Sequence, residues 1–146
     1  MASISSFMTG DHRACDLRLA DLENHAAAGR WPEARTAWHA FEAAMHCHFR
    51  REEDVLFPAF EQATGGGGGP TSVMRMEHGQ MRTTMAQIDA AVRAGDKKRV
   101  LALTESLMVL IQQHNMKEEQ ILYPMSEQMV DDARRVLGEI EAVRPE

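Results

Sequence analysis

Two stretches of the chain carry histidine and glutamate at the same spacing. Residues 48–58 are HFRREEDVLFP, and residues 114–124, which begin 66 positions later, are HNMKEEQILYP. In each copy a glutamate follows the first histidine by four residues, which at about 100° per residue places both side chains on one face of a helix. An imidazole and a carboxylate side by side can bind a metal ion or form a buried ion pair. The residues concerned are His48, Glu52, His114 and Glu118.

These polar residues share their helix faces with apolar residues. The face that carries His48 also carries Phe41 and Met45, and the second copy has the same apolar setting. An ionised carboxylate that is buried without a partner costs roughly 5 kcal/mol or more, so two of them need a shared cation or an unusual hydrogen-bond network. His12 and His78 lie on two further apolar stripes of the sequence.

Four histidines and two glutamates that face one another would suit a pair of metal ions with bridging carboxylates. A single zinc ion is a poorer match, because four ligands normally satisfy it. Nitrogen and oxygen ligands without thiolate favour iron, and manganese after it. Any one of these histidines alone would be better explained as a hydrogen-bonded core residue, and the whole set could form an ion-pair network. Because both copies have the same spacing, we favour the metal interpretation.

The elements that must position these residues are helices. The chain is 44% hydrophobic and only 5% aromatic, and its abundant Ala, Leu, Met and Glu cost little in a helix. Apolar periodicity predicts long helices over about residues 10–28, 31–63, 71–94 and from 97 onward, with a shorter one after Asp131. We therefore predict an all-α fold, an antiparallel up-down four-helix bundle over about residues 10–130 with a short C-terminal fifth helix. A chain of 146 residues is expected to form a single domain over residues 1–146.

The predicted helix ends depend on a few residues. Thr9 is expected to cap the first helix, and Thr71 or Ser72 the third. Between the second and third helices, the segment TGGGGGP at 64–70 is too rich in glycine for regular structure, so we expect a flexible loop. The proline that ends each copy of the repeated stretch either bends its helix or stops it early.

Charge and cysteine usage limit the classes of partner and compartment. The net charge of -6 argues against nucleic acid and anionic membrane surfaces, which both attract clustered Lys and Arg. The N-terminal segment lacks the features of a signal peptide, and no stretch approaches the length of a membrane span. Cys15 and Cys47 form no CxxC pair and fit reduced thiols, so we expect a cytoplasmic protein. Cys15 lies within about 60° of the face of His12, where it would be an inert buried thiol or a redox participant.

The repeated motif, together with DH near the start of the chain and EH between the copies, resembles the hemerythrin-like HHE domain over about residues 8–130. The resemblance implies a bundle that holds a non-haem di-iron centre, bridged by two carboxylates and an oxo or hydroxo group. Glu53 and Glu119 are turned about 140° from the motif histidines and are expected to face solvent or a neighbouring helix. The ligands that the resemblance implies are His12, His48, Glu52, His78, His114 and Glu118.

One position departs from the pattern of the oxygen-carrying hemerythrins. They have a second histidine four residues before the one that matches His78, and this chain has Met74 there. A thioether is a poor ligand for ferric iron, so one iron would keep an open coordination position or bind more weakly. The departure weakens the inference of reversible oxygen transport and favours exogenous ligands such as NO, peroxide or water. Glu77 is a weak candidate for the missing ligand, and His39 and His46 are turned away from the ligand face.

Four kinds of function fit this site. In the leading hypothesis the centre binds or senses a small molecule such as O2, NO or peroxide, as sensor, scavenger or carrier. In the second the protein is an oxidoreductase that reduces peroxide or NO, or a repair protein that supplies iron to iron–sulfur clusters. The third is an iron store, and the last is a structural bundle that a metal locks together. The sequence names no protein partner, and it leaves open whether the protein is an enzyme.

Overall fold

The chain folds into helices joined by short connections. The computed structural model describes residues 2–66 and 69–145, and all regular structure within these ranges is helical. We number the continuous helices α1 to α5. α1 is Ile4–Ala27; α2 joins Trp31–Arg50, Arg51–Leu56 and Phe57–Ala63; α3 is Pro70–Ala94; α4 joins Lys97–Lys117, Glu118–Leu122 and Tyr123–Met129; and α5 is Ala133–Ala142.

The four long helices form a closed ring of neighbours. α1 packs against α2 and α4, and α3 packs against the same two helices. Turns of a few residues connect α1 to α2 and α3 to α4, so these consecutive helices run antiparallel. α5 lies against α1 and the middle segment of α2. The predicted up-down four-helix bundle with a short C-terminal fifth helix is confirmed.

The first helix begins earlier than the sequence pattern suggested. α1 starts at Ile4, where Ser3 and Ser6 form a capping box. The Ser6 backbone N–H donates to Ser3 Oγ at 3.0 Å, and the Ser3 N–H donates to Ser6 Oγ at 2.9 Å. The prediction that Thr9 caps this helix near residue 10 was wrong, because the apolar contacts of the buried Ile4 extend the helix by almost two turns.

The start of α3 also differs from the prediction. The helix begins at Pro70 after Gly69, and no side chain caps it. Proline suits a first helical position because its missing N–H would have no partner there. Neither Thr71 nor Ser72 is the N-cap; the Thr71 hydroxyl instead donates to Glu61 Oε2 at 2.7 Å, on α2. Residues 67 and 68 of the predicted glycine-rich loop lie outside the described residues, and its residues 64–66 and 69 form turns and bends.

Both prolines of the repeated motif lie within continuous helix. Pro58 and Pro124 do not end their helices, which run on to Ala63 and Met129. The alternative of early termination was therefore wrong. Immediately before each proline the helix widens into a π-helical segment, Arg51–Leu56 in α2 and Glu118–Leu122 in α4. Proline lacks an N–H and crowds the carbonyl of the preceding turn, and a wider turn accommodates both effects.

The widened turns change which residues share a face. In α2 the backbone N–H of Phe57 bonds the carbonyl of Glu52, and in α4 that of Tyr123 bonds the carbonyl of Glu118. Each bond spans five residues rather than the four of an α-helix. A residue five positions after either glutamate therefore returns to the glutamate's side of the helix. Both glutamates are among the predicted ligands.

The apolar core is divided into two parts by a polar layer. One part includes Leu22, Trp38, Phe41 and Ile88. The other contains side chains from all five helices, and its members include Met8, Leu56, Met74, Leu122 and Ile140. Along each of the four long helices, the predicted ligands lie between residues of the two parts. None of the helices in the described ranges is both long enough and apolar enough to cross a membrane.

Arg51 links the end of the fifth helix to the polar layer. The Arg51 guanidinium donates from Nη2 to the carbonyl of Val143 at 2.8 Å and from Nε to that of Ile140 at 3.2 Å. A cation at this end of a helix satisfies carbonyls that have no partner within the helix. The same guanidinium donates from Nη1 to Asp11 Oδ2 at 3.0 Å. Arg51 thus connects the C-terminal end of α5 to α1.

Two glycine-to-alanine substitutions should have opposite effects on stability. Gly95 ends α3 with φ of +63°, which strains an alanine, so Gly95→Ala should destabilise the protein by about 1 kcal/mol. Gly10 is exposed inside α1, with no atom within 4 Å of an added Cβ, so Gly10→Ala should stabilise it by about 0.5–1 kcal/mol. Urea unfolding of both variants measures this difference. Equal shifts in both variants would contradict the assigned backbone conformations.

Candidate metal centre

The structure brings all six predicted ligands together at the centre of the bundle. They form two groups, and within each group one ligand atom per residue lies within 4.8 Å of the others. Each of the six side chains is buried, with 3% exposure or less. Two glutamates belong to both groups. The first group is His12, His48, Glu52 and Glu118, and the second is Glu52, His78, His114 and Glu118.

Glu52 lies between histidines of both groups. Its Oε1 is 3.4 Å from His48 Nε2 and 2.9 Å from His78 Nε2. Burial alone would raise the pKa of Glu52, but the charge of His48 and several hydrogen bonds hold this pKa well below its usual range. The carboxylate is therefore ionised inside the core. An ionised carboxylate with nitrogen donors on both sides can hold two cations at once.

Glu118 directs one oxygen toward each group. Its Oε1 lies 3.1 Å from His12 Nε2, and its Oε2 lies 3.2 Å from His114 Nε2. Among the described residues, neither Glu118 Oε2 nor His114 Nε2 has a hydrogen-bond partner, although both atoms are buried. Buried polar atoms without partners are costly, and a cation between these two would satisfy both. The donor atoms present therefore fit a metal ion.

The outer nitrogen of every histidine is held by a carboxylate. Because an ionised carboxylate only accepts hydrogen bonds, Nδ1 of each ring carries the proton, and in the neutral ring Nε2 then directs its lone pair toward the centre. Such contacts fix the orientation of a ligating histidine. The four pairs are His12 with Glu119 at 2.7 Å, His48 with Asp11 at 2.8 Å, His78 with Glu53 at 2.7 Å, and His114 with Glu77 at 2.8 Å.

Each outer carboxylate also has a cationic partner. In one example, Arg82 donates from Nη2 to Glu53 Oε1 at 2.7 Å, on the side of the carboxylate away from the centre. Burial would raise the pKa of Glu53, but hydrogen bonds from His78 and Arg82 lower it to about 2. The carboxylate thus stays ionised at neutral pH. The other pairs are Arg13 with Glu119, Arg51 with Asp11, and Lys117 with Glu77.

Protons and metal ions compete for the inner nitrogens. Burial would lower the pKa of His114, but the nearby carboxylates of Glu118 and Glu52 raise it to about 10. The pKa of His48 is also raised well above its usual value, against the effect of burial, chiefly by the charge of Glu52. A metal ion that binds here must displace these protons, as is general for histidine sites.

Tyr123 was not among the predicted site residues, but it lies inside the site. Its hydroxyl is fully buried and donates to Glu52 Oε2 at 2.6 Å, and its oxygen lies 3.0 Å from both Glu118 Oε1 and His12 Nε2. At about 100° per residue, Tyr123 would lie about 140° away from Glu118 around the helix. The π-helical turn removes most of this separation. Within the sequence, only the proline after Tyr123 indicated such a turn.

The four outer carboxylates were also not assigned to the site. Glu53 and Glu119 face neighbouring helices, which was one of the two expected orientations, but their contact with ligand histidines was not foreseen. Glu77 is absent from both ligand groups and instead binds the outer nitrogen of His114. The sequence contained a signal, because each outer carboxylate is the immediate neighbour of a predicted ligand.

Three further predictions concern residues near the site. Met74 is buried in the apolar part of the core that also contains Leu56 and Leu122, and among the described residues the two groups contain no fifth histidine. Cys15 is buried, and desolvation raises the pKa of its thiol to about 11, which supports the inert thiol over the redox participant. His39 is exposed and lies outside both ligand groups, as expected.

Removing the charge of one outer carboxylate should weaken metal binding. Glu53→Gln keeps the shape of the side chain but no longer stabilises positive charge on the His78 ring, so we expect affinity to fall about tenfold. The matched control is Glu61→Gln, since Glu61 also pairs with an arginine but contacts no histidine. Competition with a chromophoric chelator measures both affinities. Equal affinities in the two variants would show that the outer carboxylate does not act on the site.

Comparison with known proteins agrees with this geometry. Residues 3–126 match a family model, the hemerythrin HHE cation-binding domain, which covers most of the chain. Comparisons with curated proteins and with solved structures gave no match. The matched range contains both copies of the repeated motif and all six residues of the two groups. The helical bundle, the buried histidine and glutamate cluster and the family match together indicate a metal-binding protein, and the chain belongs to the hemerythrin HHE cation-binding domain family.

Proposed function

We propose that this chain holds two iron ions in a carboxylate-bridged centre, and that the reduced pair binds or senses O2, NO or peroxide. The observation that carries the proposal is that Glu52 and Glu118 belong to both groups. Carboxylates from facing helices are how helical bundles hold pairs of metal ions. The proposed ligands are His12, His48, Glu52, His78, His114 and Glu118.

The donor atoms support iron over other metals. Both groups contain nitrogen and oxygen donors, and neither Cys15 nor Cys47 belongs to them. A set without sulfur argues against copper(I) and iron–sulfur clusters. Imidazole suits iron better than manganese, which prefers oxygen ligands, so we place manganese second.

The residues of the chain would orient the ligands and exclude water from the site. The inner nitrogens of the four histidines supply lone pairs, and the hydrogen bonds of the outer nitrogens stop the rings from rotating. The two apolar parts of the core lie on either side of the centre and keep bulk water out. When bound, iron would supply electrons and coordination positions for a small ligand.

The surroundings of His78 favour small molecules. Its ring lies 4.3 Å from that of Phe49 and 5.6 Å from that of Phe57, measured between ring centroids. Met74 lies in the same part of the core as Phe57. Side chains packed this closely exclude a large substrate from this side of the site. The burial of all ligands also argues against an iron store, which must release its metal readily.

The proposal is tested by loading the protein with iron, reducing it without oxygen, and adding O2, NO or azide while recording the absorption spectrum. We expect new bands that depend on the added ligand. A protein that takes up iron but gives no spectral response, or one that carries a single zinc ion, would contradict the proposal. Sustained consumption of peroxide or NO would instead favour the oxidoreductase alternative.

Substitution of a shared ligand should have a larger effect than substitution of an unshared one. Glu52→Ala should lose metal from both groups, because Glu52 belongs to both, and its melting temperature should fall as well. His12→Ala should keep metal in the second group, since His12 belongs to the first alone. Elemental analysis gives the metal content per chain, and Glu61→Ala serves as the surface control. If Glu52→Ala and His12→Ala lost equal amounts of metal, Glu52 would not be shared.

A further inference from the structure

The hydroxyl oxygen of Tyr123 lies in the first ligand group. Tyr123 is not one of the six proposed ligands. Its hydroxyl oxygen lies 3.0 Å from His12 Nε2 and 3.0 Å from Glu118 Oε1, and these two atoms are 3.1 Å apart. The three atoms therefore form a nearly equilateral triangle. Bonds of about 2.1 Å at right angles, as in an octahedral metal complex, place neighbouring ligand atoms about 3.0 Å apart. The phenol oxygen lies where an adjacent ligand of the same metal ion would be.

Hydrogen bonding alone accounts poorly for this arrangement. A hydroxyl has one proton, and the shortest contact of Tyr123 is the one to Glu52 Oε2, at 2.6 Å. The proton of His12 is used at Nδ1, which is 2.7 Å from Glu119, so in the neutral ring Nε2 presents a lone pair to the phenol oxygen. The oxygens of Glu118 also present lone pairs. A cation would satisfy all of these atoms, whereas one phenol proton satisfies one of them.

In the part of the chain that the structure describes, no hydroxyl contacts a histidine of the second ligand group. The residue that corresponds to Tyr123 in the first copy of the motif, 66 positions earlier, is Phe57. Both residues follow a shared glutamate by five positions and lie next to a π-helical turn. Phe57 stacks on His78, a member of the second group, with 5.6 Å between ring centroids. Two otherwise similar metal positions therefore differ by one oxygen atom.

We propose that Tyr123 is a seventh ligand, which binds the metal ion of the His12 and His48 group through its phenol oxygen and leaves the ion of the His78 and His114 group open to exogenous molecules. Binding replaces the hydroxyl proton by the metal ion, and the proton passes to solvent. The inference rests on the proposed iron centre and specifies which of its two positions is open. It also gives the buried phenol a role other than packing.

Tyr123 is the one tyrosine of the chain, so any tyrosine signal can be assigned to it. Ferric iron bound to a phenolate absorbs visible light, and excitation in that band enhances the vibrations of the phenolate ring. We expect these vibrations in the resonance Raman spectrum of the iron-loaded protein. Tyr123→Phe should lose them and keep its iron, because the four histidines and two glutamates remain. Phe57→Tyr in that background is expected to restore them, since it places a phenol in the second group.

Two outcomes would overturn the inference. One of them would leave the proposed function intact, and the other would overturn it as well. Iron-loaded protein whose spectrum contains no phenolate vibrations would overturn the seventh ligand and leave the proposed function intact. A chain that takes up no iron would overturn the proposed function together with this inference. The first outcome needs only the unsubstituted protein, so a failure of Tyr123→Phe to fold would not remove the test.

Discussion

The structure depends on the burial of two glutamate side chains inside an apolar bundle. Glu52 and Glu118 are both fully buried, and the free energy of removing their carboxyl groups from water must be recovered within the site. Four imidazoles surround them, four outer carboxylates fix those imidazoles, and four cations at the margin balance the outer carboxylates. Charge therefore alternates in sign from the centre outward. The metal pair proposed above would complete this alternation, since it would supply positive charge between the inner carboxylates.

The same constraint explains why the helices are not regular where they carry the glutamates. A straight α-helix offers the centre a residue at every third or fourth position, which suits His48 with Glu52 and His114 with Glu118. The π-helical turns add a position five residues after each glutamate. One copy of the motif uses it for the hydroxyl of Tyr123 and the other for a hydrocarbon ring. Prolines that would otherwise be unfavourable thus occur at the turns that shape the site.

Much of this organisation could be predicted from the sequence, and the failures have physical causes. The six residues of the two groups could be predicted because the helices keep the ordinary α-helical period as far as each glutamate. That period places all four histidines on apolar helix faces, and it places each motif glutamate on the face of the histidine four residues before it. Tyr123 was missed because that periodicity changes immediately after Glu118. The start of α1 lies earlier than predicted because Ser3 and Ser6 cap the helix as a pair and Ile4 is buried in the core. The role of the outer carboxylates depends on which helices are neighbours in the bundle. The periodicity of a single helix does not contain that information.

Arg51 links the last helix to the candidate metal centre. One guanidinium holds the final carbonyls of α5 and the carboxylate of Asp11, and Asp11 in turn orients His48. Metal binding and the docking of α5 would be linked through these contacts, and such linkage is reciprocal. If metal binding stabilised the contacts, it would also stabilise the docking of α5. Displacement of α5 would then weaken metal binding at the proposed centre by the same amount. Through Arg51 and Asp11, the position of the C-terminal helix would thus influence the metal affinity of that centre.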